Sequence, residues 1–442
     1  KVQGRKTPTV ENIRNPSYQI EAEELERTSA RNMEDALLTV PGVQARSRGG
    51  DDVRLSIRGS GLQNVVFTKA RGVDLLVNGF PVGGADGNFG YGLVSPIFAK
   101  DIDVYNSGAA TPLGSITLGG AINIKTTSGE PRNYLRADIG SFGYARLAGE
   151  VSMKSDDVTG AARVELSRED GFRDFTDNDA QKFEIDAKHA LAPNVDNHIF
   201  LNVARIDQEV SLPISQEQLE NDPEQGGSLN PIIQPFYETL NLRIADRVTF
   251  NPDPDRTYTA EAFYLYRDVD FRRPSLPPSN FQKGPGTLEA TTNDFGLNLR
   301  AEGNGALMNK PTEWTVGLRL TGLKGNEELF PSIRTAKGNK FADGDLTAYN
   351  SVFYLQNNLA WTSDLELIAG LRAIYSERNY EDNFNTGNNR LDRDQSFSDL
   401  APRLGFRWKT SEKTELFGFF TRNVEPPAFG DIISIPVDFT IP

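Results

Sequence analysis

Cysteine is absent from the 442 residues, which removes disulfides, thiolate metal sites and thiol nucleophiles together. Histidine occurs only twice, at His189 and His198. No run approaches about eighteen consecutive apolar residues, so a transmembrane helix is excluded. Basic charge is also short: 47 Lys and Arg stand against 61 Asp and Glu, a formal net charge of −14. An acidic surface repels a polyanion, and no basic stripe interrupts it, which argues against a nucleic-acid partner. Neither a G-x-S-x-G elbow nor a G-x-x-x-x-G-K phosphate loop occurs, so the common hydrolase and nucleotide-binding readings lose their chemistry. We expect no enzyme, no cofactor and no resident metal. Asp174-Phe175-Thr176-Asp177-Asn178-Asp179 is acidic enough to suggest calcium but lacks the glycine and distal glutamate of an EF-hand loop, and reads as a solvated loop.

Low hydropathy does not by itself make the chain soluble. Only 38% of residues are hydrophobic, yet a membrane β-barrel turns alternate residues to lipid and keeps a polar average. After Thr127 the texture fits that pattern. Phe183, Ile185 and Ala187 alternate with Glu184, Asp186 and Lys188; Leu404, Phe406 and Trp408 alternate with Arg403, Gly405 and Arg407. Period-two segments recur at 134–139, 145–153, 160–168, 181–190, 196–209, 237–250, 257–271, 290–302, 312–325, 346–361, 365–379, 396–409 and 413–423, and predict about thirteen strands. Short connections such as 190–194, 251–255 and 361–364 suit a periplasmic rim. Long polar ones at 170–180, 210–236, 272–289, 326–345 and 380–395 suit an extracellular face. A soluble β-sandwich also alternates and is the competing reading.

The first third has a different texture. Residues 1–20 read as an irregular lead, 21–38 as helical, and 52–127 as three apolar runs, Val53 to Ile57, Val73 to Val77 and Ile102 to Tyr105, each ending in a glycine cluster. Glycine takes positive φ without penalty, so these are short buried strands joined by tight loops.

The words in this stretch carry a resemblance. Leu37-Leu38-Thr39-Val40-Pro41-Gly42-Val43, Ile57-Arg58-Gly59, Arg71-Gly72-Val73, Val77-Asn78-Gly79-Phe80-Pro81, Ile102-Asp103-Val104-Tyr105 and Leu118-Gly119-Gly120-Ala121-Ile122-Asn123-Ile124 stand in order. Together they closely resemble the plug domain of TonB-dependent outer-membrane transporters. The resemblance implies an α+β plug over 1–128 in the lumen of an antiparallel transmembrane β-barrel over 129–442. The family barrel has about 22 strands, so further strands are expected after Pro442. Val2-Gln3-Gly4-Arg5 resembles the residues after a TonB box, which is expected upstream of Lys1.

The implied function is TonB-dependent import of a scarce nutrient across the Gram-negative outer membrane, by family frequency a ferric siderophore. Cobalamin, a saccharide or another metal chelate is the alternative, and a passive porin a further one. Haem is disfavoured, because neither His189 nor His198 falls on a loop or at the apex. Implied partners are TonB with ExbB and ExbD, outer-membrane lipid and a small chelate, around a monomeric barrel.

Candidate ligand residues are Gln63, Asn64, Phe67, Asp86, Asn88, Phe89 and Tyr91 in the plug loops that the resemblance places below the extracellular funnel. Arg272, Arg273, Arg334, Lys337 and Lys340 in the barrel loops could grip an anionic chelate. Arg58 and Arg71 on plug strands would seek lumen carboxylates, with Glu261, Glu313 and Glu302 in phase to meet them. One departure stands out: where the family carries Arg-Gly-Pro after the third strand, this chain has Asn106-Ser107-Gly108. The usual ionic lock between plug and barrel is therefore in question, and an arginine restored at 106 is expected to tighten the plug.

Overall fold

The computed structural model describes residues 17–432 apart from 29, 48–49, 52, 62–71, 88–92, 94, 127–131, 228–230, 232–233, 273–285, 334–335 and 386–389. The N-terminal domain opens with β1 (Tyr18–Glu21), α1 (Ala22–Thr28) and α2 (Met33–Leu37). The side chain of Asn32 caps α2 by accepting from the backbone N–H groups of Glu34 and Asp35, which satisfies two otherwise orphaned donors. A hairpin of β2 (Val43–Ser47) and β3 (Val53–Ile57) follows. Then come β4 (Val73–Val77), β5 (Phe80–Pro81), β6 (Asp101–Asn106) and β7 (Gly120–Lys125), which join β1 in a sheet of order β1-β6-β7-β4-β5. Among the described residues only the β4–β7 pair is parallel. Residues 1–16 lie outside the described residues, but β1 corrects the end of the 1–20 stretch, read as a flexible lead: Tyr18 to Glu21 find partners in Val104 to Asp101, a tertiary pairing with no local signal.

Apolar residues of these strands and helices, among them Leu37, Leu55, Ile57, Leu75, Ile102 and Ile122, close into one core. Burying each is worth about 1.5–3 kcal/mol. Gly120 is required at the start of β7, where it pairs with Asn106 of β6: its φ is +122°, and a Cβ there would lie 1.9 Å from the carbonyl oxygen of Tyr105.

The rest of the chain builds one antiparallel sheet of thirteen strands joined in sequence order. These are β8 (Tyr134–Ile139), β9 (Ala145–Lys154), β10 (Val158–Glu169), β11 (Asn178–Ala192), β12 (Val195–Glu209), β13 (Phe236–Asp253), β14 (Arg256–Arg272), β15 (Thr287–Leu307), β16 (Lys310–Phe330), β19 (Ala342–Ala360), β20 (Leu365–Asp382), β21 (Arg393–Ser411) and β22 (Thr414–Thr421). A small hairpin, β17 (Ser332–Ile333) with β18 (Ala336–Lys337), decorates the connection between β16 and β19. All thirteen segments with period-two alternation are strands, but several run longer than the alternation marked. The 21 residues of β15 and of β16 reach about 70 Å at 3.3 Å per residue. That is over twice the hydrocarbon thickness of about 30 Å, so their ends project beyond it. Much of 326–345, read as loop, is therefore strand. The connection after β12 also holds a short helix, α3 (Gln216–Asn221), with a Ser215/Gln218 capping box.

The sheet has its polarity reversed relative to a soluble protein. On β13, Asn241, Arg243 and Arg247 are buried while Leu240 and Ile244 are exposed. Phe183, Phe295, Leu297, Leu299, Phe353, Leu404 and Trp408 likewise face outward. Such a wall is stable only where the surroundings are apolar, which separates a membrane barrel from a sandwich. Inward-facing residues on β9, β11, β13, β16 and β20 reach the N-terminal domain, so the sheet curls around it. Among the described residues β8 and β22 are its two edges.

Candidate functional site

The short turns between β9 and β10, β11 and β12, β13 and β14, and β15 and β16 lie at one rim and the long connections at the other, which orients the barrel. Measured by strand register, the N-terminal domain presents residues 30–31, 50–51 and 84–86 toward the long-loop rim. It presents Asn78 and Lys100 toward the short-turn rim, where they meet Arg247 on β13 and Glu150 on β9.

Many contacts between the two units share one polarity. Arginines of the barrel grip backbone carbonyls and carboxylates of the plug. Arg146 donates to Ala30 O at 2.9 Å, Arg243 to Phe80 O at 3.3 Å and Pro81 O at 3.4 Å, and Arg247 to Asn78 O. Arg319 holds both Asp74, at 3.0 Å, and Leu113 O, and Arg372 donates to Ser115 O. Lys182 pairs with Asp51 at 2.8 Å. Burial pushes the Asp51 carboxyl above its ordinary value, and Lys182 works against that rise.

Other contacts run the other way, among them Arg31 with Glu169 at 3.2 Å and the hydroxyls of Ser95 and Thr126, which donate to Glu165 and Glu184. Lys100 reaches Glu150 at 3.1 Å, with both side chains nearly buried. Burial lowers the Lys100 ammonium from its ordinary value, and Glu150 opposes the shift. Glu425 lies in the segment that leaves the sheet after β22, and its carboxylate accepts from Gly72 N at 3.0 Å and Leu118 N at 3.3 Å. A carboxylate on two backbone donors is a charge-assisted tie between barrel and plug.

These facts revise the expected ionic scheme. Arg58 is exposed in the turn after β3 with φ +52°, not turned to the barrel wall. Glu261 accepts from the barrel's own Arg247 at 2.7 Å and from Asn298, and Glu302 lies 3.4 Å from Arg300. Those carboxylates are neutralised before any plug arginine could claim them. Glu313 is half-buried near the short-turn rim, opposite Asn358 on β19. Arg71 lies outside the described residues. The signal for the barrel arginines was present in the alternation, since Arg243, Arg247, Arg319 and Arg372 all fall on the inward phase. What alternation could not tell was that their acceptors are carbonyls.

Among the ligand candidates, Gln63, Asn64, Phe67, Asn88, Phe89 and Tyr91 lie outside the described residues, as do Arg273 and Arg334. Asp86 is described and is buried against the wall rather than open to the mouth. Arg267 stands 4.0 Å from it and 2.9 Å from Asp294. Its neighbour Ala85 donates to Asp294 at 3.0 Å and accepts from Asn350 at 2.7 Å. The loop cations are also engaged. Lys337 pairs with Glu289 and lies 3.7 Å from the Phe330 ring centre. Lys340 pairs with Glu328 and Asp343, and Arg272 stacks on Phe236. Beside the 84–87 loop a cavity of about 70 Å³ runs between plug and wall, bordered by Asp74, Arg319, Asn350 and Glu425. It has room for a few waters, not for a chelate. Among the described residues no group of His, Asp and Glu is arranged to hold a metal ion.

Comparison with known proteins agrees with this architecture. Residues 9–121 match the TonB-dependent Receptor Plug Domain, and residues 207–439, more than half the chain, match the TonB dependent receptor-like β-barrel. The vitamin B12 transporter BtuB of Vibrio vulnificus is 26% identical over 211 residues, covering 46% of this chain and 31% of that protein. The chain thus spans about a third of the length of that curated relative. The unliganded ferric citrate transporter FecA superposes with a TM-score of 0.79 at 15% identity, over 94% of this chain and 63% of FecA. The ferric yersiniabactin uptake receptor FyuA of Yersinia pestis gives 0.75 at 14% identity, over 93% and 65%. A plug seated in a lipid-facing barrel, with both family domains matched in order, makes this chain a member of the TonB-dependent receptor family of the Gram-negative outer membrane.

Proposed function

We propose that the protein imports a scarce extracellular nutrient by TonB-dependent transport, and that the nutrient is a ferric siderophore. The observation that carries this reading is the filled lumen. A passive pore needs an open bore, whereas here a folded domain occupies it, held to the wall by individual polar contacts that an energised pull can break one after another. The plug comprises residues 1–128 and the barrel begins at 129. TonB, driven by ExbB and ExbD, engages the periplasmic side, and the barrel works as a monomer. The apex loops carrying Gln63, Asn64, Phe67, Asn88, Phe89 and Tyr91 receive the ligand. The neighbours named for ferric citrate and ferric yersiniabactin support an iron chelate, and the BtuB relative supports cobalamin as the second reading.

Growth decides between the two. A deletion strain should lose iron-limited growth on one ferric siderophore and regain it with the full-length gene only when TonB is present. Loss of cobalamin-dependent growth instead selects the second reading, and no loss on any chelate refutes import. Replacing Asn88, Phe89 and Tyr91 together by alanine should weaken binding of that ligand while heat-modifiable barrel migration persists; unchanged affinity removes the apex assignment.

A further inference from the structure

The lumen wall is electrostatically divided. From β9 to β15 each buried Lys or Arg except Arg243 has a carboxylate within 3.5 Å: Arg146 with Asp138, Arg163 with Glu184, Lys182 with Asp51, Arg247 with Glu261, Arg267 with Asp294 and Arg300 with Glu302. Arg243 is bonded through Asn202, which in turn donates to Glu184. The wall of β20 and β21 differs. Arg372 is fully buried, and its acceptors are Ser115 O and Asn423 Oδ1 at 2.8 Å, with Nε left unpartnered. Arg403, also buried, donates to Gln356 Oε1 at 2.7 Å and lies 4.9 Å from the Phe419 ring centre. Every acceptor of these two guanidiniums is neutral. They sit at diagonal positions, since Arg372 is opposite Ala401 and Arg403 opposite Gly370, which brings their stems within about 7–8 Å.

Two buried like charges side by side with no carboxylate among their direct acceptors, Glu366 being held by Arg407 instead, are costly, and packing alone would be served as well by glutamine. The plug covers both. A Cβ at Gly108 would come within 3.2 Å of Arg403 Cδ, and Ser115 O rests on Arg372. The stretch between them, Ser107–Leu113 with its cap Gly114, lies against the β19–β21 wall and borders the cavity described above at Gly114.

We propose that Arg372 and Arg403 form an anion-selective stretch of the lumen wall, uncovered when the 107–115 segment withdraws, and that the imported ligand is therefore an anion. This rests on the import reading and narrows its substrate class. With the plug in place the arginines hold its carbonyls; with the plug displaced they offer the same donors to carboxylate, catecholate or phosphate oxygens of a passing ligand.

The test uses the full-length protein with R372Q/R403Q and R372K/R403K double variants. In planar bilayers under a KCl gradient, with urea sufficient to loosen the plug, the reversal potential should report chloride preference for the parent and the lysine variant. That preference should fall by about threefold or more in the glutamine variant, as removal of local positive potential requires. An unchanged chloride-to-potassium ratio overturns the proposal. In cells, energised uptake of ferric citrate should fall by about tenfold in R372Q/R403Q at unaltered equilibrium binding, while uptake of a neutral ferric trihydroxamate does not change. Equal loss for both chelates assigns the arginines to plug seating alone and overturns it as well. Absence of uptake of both chelates in the parent counts against the ferric-chelate reading alone, and the reversal potential still decides on the arginines.

Discussion

Replacing Glu150 by glutamine or alanine probes the seam with the most to lose. Its carboxylate is 2% exposed and receives Lys100 of the plug at 3.1 Å, Arg163 at 3.4 Å and Arg132 at 3.5 Å. Removing it takes the counter-charge from Lys100 while Arg163 keeps Glu184 and Asp186, and breaking a buried pair in this way costs about 3–5 kcal/mol. Plug release in urea, followed by protease cleavage of the plug in detergent-solubilised full-length protein, should shift its midpoint down by about 2 M if release has a slope of about 2 kcal/mol/M. The pH dependence has a definite sign. Seating lowers the Lys100 pKa, so the seated plug binds fewer protons than the released one and is stabilised as pH rises. The gain begins at the lowered Lys100 value and is complete once pH passes the ordinary lysine value of about 10.4. The alanine variant should show a larger alkaline recovery than the parent, because its Lys100 has lost its main counter-charge. A shift under about 0.5 kcal/mol, the usual range for surface substitutions, or release that is flat between neutral and alkaline pH, would refute the reasoning.

Other consequences are simpler to measure. A double-mutant cycle on Arg319→Ala and Asp74→Asn should give a coupling of about 1–3 kcal/mol in the same release assay, since both side chains are only 13% exposed. Asn106→Arg, expected from family resemblance to tighten the plug, should instead weaken seating by about 1 kcal/mol, a fall of about 0.5 M in the release midpoint at the same slope. Its new cation lies two residues from Gly108, which packs on Arg403, and the wall there offers no free carboxylate. Gly120→Ala should abolish protease resistance of the plug while leaving the barrel intact, because no relaxation of a few tenths of an ångström relieves a 1.9 Å contact with backbone.

Much of this protein was legible before any coordinates. Alternation alone located all thirteen strands of the large sheet, because a lipid-facing wall demands period two in every strand. Glycine-bounded apolar runs located β3, β4 and β6, because glycine takes without penalty the positive φ found at Gly59 after β3 and at Gly79 after β4. What escaped were features made by partners distant in sequence. Tyr18–Glu21 became a strand only because β6 lay beside it. Asp86 resembled a ligand residue until Arg267 was found 4.0 Å away. Glu261 looked available until Arg247 proved to be its neighbour across the β13–β14 pair. Sequence determined which residues face the lumen, since parity along a strand is a local property. Tertiary structure decided how those lumen charges pair, because pairing depends on interstrand register and on which plug carbonyl arrives opposite each guanidinium.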